Sequence, residues 1–264
     1  MLAGLVILLS CKKTQTDNET TSLTDFAQIS QEFLQVFMEV DHAAKHQKGI
    51  YDPYTAGPSH TGRLDSLSGD TTNNAQGIFT DTLDLPTLWI KYNNFVGSDT
   101  KLRNGIVKIV FKNKYNQNVT ANITFLNYSV NGILFQGNAK ITGSASTTFE
   151  VNNGSMSNGK WISSFSCNYT VGPSDNGTST IETDDYVEAS GSANGTNRDG
   201  KNYSVNNIGP VLKKRMDCAW ICAGKASVTP NGLHERKVDF GSGNCDDVAS
   251  FVLDSQTFTV HLSK

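Results

Sequence analysis

The sequence lacks the motifs that mark most enzyme classes. It contains no Gly-x-Ser-x-Gly elbow, no His-Glu-x-x-His, no phosphate-binding loop and no dinucleotide fingerprint. Charged residues make up only 18% of the chain, the net charge is −3, and residues 213–215 form its one short basic run. Nucleic acid is therefore not expected as a partner, because phosphate binding needs a concentrated basic surface. The sequence predicts a non-enzymatic protein without a cofactor.

Two sugar-related possibilities stay open despite the missing motifs. A glycosidase needs only two carboxyl groups held about 5 to 9 Å apart. Such a pair does not depend on a recognisable sequence motif. A glycan-binding surface needs an aromatic platform, although tryptophan in a strand is more often a core residue. The available carboxylates are Glu150, Glu182, Glu188 and Glu235, and the available platforms are Trp89, Trp161 and Trp220.

Long hydrophobic runs are also missing. Residues 2–9 (LAGLVILL) are too few to span a bilayer, which takes about 20 residues in a helix, but they suffice for the core of a signal peptide. No Lys or Arg precedes them, which departs from the usual signal-peptide pattern. The tetrapeptide Leu8-Leu9-Ser10-Cys11 resembles the lipobox of bacterial lipoproteins, in which the cysteine is acylated. Residues 1–10 are thus predicted as a lipoprotein signal peptide and Cys11 as a palmitate-bearing membrane anchor.

The segment after the lipobox is polar. Residues 11–24 comprise the lipidated cysteine and a predicted tether, whose last thirteen residues reach about 40 Å when fully extended. A tether of that reach is expected to hold the folded domain clear of the lipid surface.

Residues 25–48 are predicted to form an amphipathic helix. Phe26, Phe33 and Phe37 belong to an apolar stripe at three- and four-residue intervals, which we expect to pack on a sheet. Glu39, His42 and His46 share a second arc about 120° from that stripe, which the pattern places in water. His pairs at this spacing can chelate zinc, but no fourth ligand is evident, so no metal site is predicted.

Residues 49–86 form a long segment without apolar periodicity. Loops of this length are usually functional or disordered. Three triplets in it begin with Asp and look like the O-glycosylation acceptors of exported proteins in some Gram-negative bacteria. Their acceptor residues are Ser66, Thr71 and Thr82.

Residues 87–264 read as an antiparallel β domain. Short apolar runs alternate with turn pairs such as Asn104-Gly105, Asn194-Gly195 and Asn231-Gly232, which predicts a meander of sequential strands. A phase change in the alternation predicts a bulge near Phe125. So many strands should curl or fold into two layers, because strand twist accumulates. The predicted fold is mainly β: a curled or two-layered antiparallel meander with one N-terminal amphipathic helix packed on it.

Four cysteines remain besides Cys11. Cys218 and Cys222 are placed on one predicted strand, residues 215–228, about 13 Å apart, which is too far for a disulfide between them. The other two pairings stay open. Rival interpretations are a zinc site using Cys218, Cys222, Cys245 and His234, and a calcium site using Asp239, Asp246 and Asp247.

Several longer motifs resemble a family of uncharacterised Gram-negative envelope lipoproteins. They are VFMEVD at 36–41, NGIVKIVF at 104–111, GSANGTNRDG at 191–200, DCAWI at 217–221 and DFGSGNCD at 239–246. The resemblance implies a disulfide between Cys218 and Cys245, which leaves Cys167 to pair with Cys222. It implies no assigned chemistry.

The sequence therefore favours an envelope lipoprotein with a binding or structural role, anchored by membrane lipid and expected at the outer membrane, facing the periplasm or the surface. A first alternative is a carrier that encloses a lipid or another hydrophobic ligand in the curled sheet. A second is a glycan-binding protein or glycosidase. The sequence makes no prediction of the oligomeric state.

Overall fold

The computed structural model describes residues 17–46, 61–64, 75–81, 86–112, 119–143, 146–174, 177, 184–207 and 209–263. Of these, residues 43, 45–46, 61–64, 75–81 and 86 are described by their backbone only. Within these ranges the chain forms one α-helix and fifteen β-strands.

The helix α1 spans Thr21–His46. It begins four residues before the predicted start and ends two before the predicted end. The strands are β1 (Thr61–Leu64), β2 (Ala75–Asp81), β3 (Pro86–Val96), β4 (Leu102–Phe111), β5 (Val119–Val130), β6 (Ile133–Gly143), β7 (Thr147–Ser157), β8 (Ile162–Ser174), β9 (Tyr186–Thr196), β10 (Asn202–Asn207), β11 (Leu212–Arg215), β12 (Ile221–Pro230), β13 (Arg236–Ser242), β14 (Val248–Leu253) and β15 (Gln256–His261).

All described strands belong to one antiparallel sheet, which confirms the predicted mainly β meander with one N-terminal helix. Each strand pairs with its neighbours in sequence, from β1 at one edge to β15 at the other. Strands β10 and β11 are the exception, because they occupy one strand position between β9 and β12: β10 pairs with one end of both strands and β11 with the other end.

The sheet curls around the helix, so the helix is buried on every side. Each side chain from Asp25 to Asp41 is buried, including the polar ones. Phe33 touches aromatic rings on β5, β6 and β8, while Phe26 touches β13 and Phe37 touches β7. The curl brings the turn after β3 to the loop after β11, where the Ser98 hydroxyl donates to the Met216 carbonyl over 3.1 Å.

A row of irregularities crosses the sheet and accounts for its bend. Asn94 in β3, Asn127 in β5 and Asn153 in β7 all have positive φ, and the pairing register shifts beside each of them. Bulges bend a strand and increase its twist, so bulges at one level of these alternate strands fold the sheet over α1. The bulge predicted near Phe125 is confirmed at residues 127–128.

Two of the predicted hairpin turns are wrong because their Asn-Gly pairs lie inside strands. Asn104-Gly105 lies inside β4 and Asn194-Gly195 inside β9, whereas Asn231-Gly232 does form a turn. A Cβ atom at Gly105 would lie 2.2 Å from the Asn127 carbonyl oxygen, and one at Gly195 would lie 2.1 Å from that of Ser164. Glycine permits close approach of strands here, and does not reverse the chain.

Candidate functional site

A cluster of buried charges lies between the helix and the sheet. Glu32 and Glu39 come from α1, Asp99 and Lys101 from the turn between β3 and β4, Arg103 from β4 and Lys214 from β11, and all six are buried. The cluster contains three carboxylates and three basic groups, so its charges balance when all are ionised. We call these six residues the buried charged cluster.

Arg103 is the centre of the cluster. Its guanidinium donates two parallel hydrogen bonds of 2.7 Å to the Asp99 carboxylate and longer ones, of 3.3 and 3.4 Å, to Glu32. The Tyr128 hydroxyl donates to Glu32 over 2.6 Å, and Lys101 Nζ lies 3.5 Å from the same carboxylate. Burial alone raises the pKa of Asp99, but the adjacent Arg103 lowers it below the usual range. The bidentate pair holds the turn after β3 in place against β4, and the bonds from Arg103 to Glu32 tie that turn to the helix.

Glu39 lies in this cluster, so the expectation that its helix arc faces water is wrong. It accepts hydrogen bonds from the Tyr92 hydroxyl and, over 3.1 Å, from the Gln35 side chain. Burial raises the pKa of Glu39, against the lowering effect of Arg103. His42 is half-buried, and His46 lies outside the described side chains. The error arose because the sheet encloses the helix and covers its second face.

Lys214 joins the cluster to the loop after β11. Its Nζ donates to Gln35 Oε1 over 2.6 Å, to the Arg215 carbonyl over 2.7 Å and to the Cys218 carbonyl. Burial lowers the pKa of Lys214 to about 7. Three acceptors match the three N–H groups of an ammonium, so the charged form is fully hydrogen-bonded below that pH.

The buried charged cluster holds elements together and does not open to solvent. Its six side chains are satisfied by one another or by neighbouring polar groups. A substrate would have to displace α1 to reach them. The geometry therefore supports a structural role: the cluster ties the middle of the helix to β3, β4, β5 and β11.

A second polar cluster fixes the start of the folded domain. Arg236, fully buried on β13, donates to the Glu19 carbonyl and to the Asp17 carboxylate, and its presence lowers the pKa of Asp17 against the effect of burial. Asn197 donates to Glu19 and Ser22, each over 3.0 Å, and Arg198 pairs with Asp25. Residues 17–24 were predicted as part of a free tether. They are instead docked on the sheet, partly by the turn of the 191–200 motif.

The cysteines confirm one expected bridge and overturn the other. Cys218 and Cys245 form a disulfide with Cα atoms 5.5 Å apart, while Cys167 and Cys222 are buried free thiols. Cys167 is level with Val228 through the register of β8, β9, β10 and β12, so Cys222 lies six residues, about 20 Å, along the sheet. That separation excludes the second bridge.

The cysteine geometry also corrects the strand prediction around residue 218. Residues 216–220 form a loop between β11 and β12, so Cys218 does not share a strand with Cys222. The loop brings Cys218 to the turn after β13, where Cys245 lies.

The two rival metal sites are not assembled. No group of three His, Cys, Asp or Glu side chains within the described ranges is placed to hold an ion. Asp239 pairs with Lys225, the Asp246 side chain accepts from its own turn, and Asp247 pairs with His261. His234 binds Asp254 instead of approaching a cysteine.

The sugar-related candidates are dispersed. Glu150 and Glu188 lie two strands and four residues apart, which is about 16 Å, and Glu235 bonds Ser227. Trp89, Trp161 and Trp220 are each half-buried. Lys108 covers the Trp89 ring at 4.7 Å and Arg198 covers the Trp161 ring at 4.2 Å. Cys11, Ser66, Thr71, Thr82 and Glu182 lie outside the described residues.

An open groove with charged walls lies on the outer face at the β10–β11 junction. It is lined by Lys213, Lys225, Glu188 and Asp239 among others. Lys225 already pairs with Asp239 at 2.9 Å, and Lys213 Nζ lies 3.3 Å from the centre of the Tyr186 ring. Lys213, Lys225 and Asp239 are thus engaged within the protein.

Sequence reasoning missed the buried basic residues, although a signal for them was present. Arg103 is in phase with the inward-facing Val107 and Ile109 of β4. Lys214 in β11 and Arg236 in β13 likewise take inward positions of their strands. A basic residue at an inward position of an alternating strand predicts a buried partner, because an unpaired buried charge is too costly.

Comparison with known proteins finds no matching family model, no matching curated sequence and no matching solved structure. Within the described residues, no helix combines the length and the apolar character needed to cross a membrane.

Proposed function

We propose that this chain is a lipid-anchored protein of the bacterial cell envelope with a non-enzymatic binding or structural role. The observation that carries the proposal is the spacing of its N-terminal parts: Asp17, the first residue that the structure describes, is docked on the sheet and follows the lipobox cysteine, Cys11, by only six positions. An acyl chain at Cys11 is then attached almost directly to the folded domain. The disulfide is in keeping with an exported location.

The interior of the sheet supports a role other than catalysis or lipid transport. The six side chains of the buried charged cluster are paired, and among the described residues the concave face is occupied by α1 and its phenylalanines. A carrier needs that space for its ligand. We therefore favour a binding or structural role exerted by the outer surface.

Labelling with radioactive palmitate in a Gram-negative host tests the anchor. The wild-type chain and the control Lys12→Ala are expected to take up the label and to fractionate with the outer membrane, while Cys11→Ser does neither. An unlabelled wild-type protein refutes the proposal.

A further inference from the structure

We propose that one end of the sheet contacts the lipid headgroups and so sets the orientation of the domain on the bilayer. The part of this end that we infer to meet the membrane comprises the turns at residues 158–162, 197–201 and 231–235, which we call the anchor rim. The inference rests on the lipid anchor proposed above and adds the surface that meets the membrane.

The first argument is the reach of the chain. Asp17 is fixed to the rim because its carboxylate accepts from the backbone N–H of His234 over 3.2 Å and from the buried Arg236. Six residue steps from Cys11 to Asp17 span at most about 20 Å. The predicted free tether of about 40 Å would have allowed any orientation. The docked segment instead keeps the rim within about 20 Å of the lipid.

The second argument is the length of the strands. Strand β8 begins at the rim and has 13 residues, so its other end lies about 40 Å away. That distance is twice the greatest span of the six residue steps from Cys11 to Asp17. The rim is therefore the end that the anchor holds near the membrane, and the opposite end, with the turn that carries Cys245, faces away from it.

The third argument is the chemistry of the turn after β7. Ile162 is 62% exposed, more than any other large hydrophobic residue of the described ranges. Lys160 beside it is exposed, and Trp161 is half-buried with the Arg198 guanidinium over its ring. Tryptophan and long basic side chains favour the interface between lipid and water, where the ring and the aliphatic stem meet the apolar side.

The rim is one connected surface. Arg198 links Trp161 to the Asp25 carboxylate near the start of α1, and Asn197 beside it binds Glu19. The four strand spacings from β8 to β13 amount to about 19 Å. The exposed Ile162 and the attachment point at Asp17 can thus approach one flat membrane together.

Two nitroxide labels on the acylated full-length protein test the orientation. One replaces Lys160 on the rim, and its matched control replaces the exposed Thr170, which is eight residues, about 26 Å, beyond Ile162 on the same strand and face. Both proteins, as K160C and T170C, are placed in phosphatidylethanolamine–phosphatidylglycerol vesicles with a nickel-chelating headgroup lipid. Power saturation then reports how strongly surface nickel relaxes each label.

We expect nickel lipid to relax the label at position 160 at least threefold more strongly than the label at position 170. Equal relaxation of both labels, or stronger relaxation at position 170, overturns the orientation. Failure of the protein to float with vesicles, as expected for Cys11→Ser, points instead to failure of the anchor itself. The two inferences therefore fail by different observations.

Discussion

Replacing Arg103 by Met should expose the cost of an unbalanced buried charge. The substitution keeps the aliphatic stem but leaves Asp99 without its bidentate partner, while Glu32 keeps the Tyr128 hydroxyl and, as its cation, Lys101 at 3.5 Å. Removing one partner of a buried ion pair costs about 3 to 5 kcal/mol. We expect R103M to lose that much free energy of unfolding.

The matched control is Lys225→Met. Like Arg103, Lys225 is a basic residue on a strand that pairs with an aspartate. Its Nζ lies 2.9 Å from Asp239, but the two side chains are 46% and 38% exposed. An exposed pair of this kind contributes about 0 to 1 kcal/mol. The comparison separates the effect of burial from that of ion pairing.

Urea unfolding followed by tryptophan fluorescence gives both values. With an m value of about 3 kcal/mol per M, the midpoint should fall by about 1 to 1.7 M for R103M and by less than 0.4 M for K225M. Adding Asp99→Asn to R103M should cost less than the sum of the single changes, because the orphaned carboxylate is gone. Equal losses for R103M and K225M, or additive losses in the double variant, would refute the reasoning.

Three further predictions concern pH, backbone strain and the disulfide. Because burial lowers the pKa of Lys214 to about 7, the unfolded chain binds a proton that the folded protein has released between about pH 7 and 10. The free energy of unfolding should therefore rise by up to about 1.4 kcal/mol per pH unit in that range. In urea titrations at several pH values, Lys214→Met should flatten this rise, and parallel pH profiles for wild type and variant would contradict the prediction. Gly105→Ala should lower the free energy of unfolding by more than about 2 kcal/mol, because φ is +98° and the carbonyl of a neighbouring strand blocks a Cβ atom. The control Gly172→Ala has open space around it and should change that free energy by no more than about 0.5 kcal/mol. Thermal denaturation measures both. Replacing Cys218 and Cys245 by Ala opens a 27-residue link and should cost about 3.5 kcal/mol, and the unreduced Cys11→Ser protein should titrate two thiols when denatured; four thiols would exclude the bridge.

Local patterns in the sequence were sufficient for the type of fold. Alternation and short turns predict sequential antiparallel strands, because both depend on the pleat and on residues a few positions apart. The same local logic failed at Asn104-Gly105 and Asn194-Gly195. Glycine is needed at both positions because a strand distant in sequence passes close to its Cα atom. Hairpin rules consider only residues that are near one another in sequence.

The burial of α1 shows the limit of prediction from local sequence patterns. Its amphipathic stripe identified the face with Phe26, Phe33 and Phe37, but the face with Glu39 was expected in water and is buried. A single helix cannot reveal how far a sheet curls around it. That curl depends on bulges in β3, β5 and β7, which are distant from the helix in sequence.

The sequence by itself determined that the chain is an antiparallel meander with one helix, since periodicity is a property of neighbouring residues. Tertiary structure alone decided which charges are buried, that Asp17 is docked and that Cys167 lies far from Cys222. Those outcomes follow from strand register and sheet curvature, which sum the geometry of the whole sheet and are not encoded at any one position.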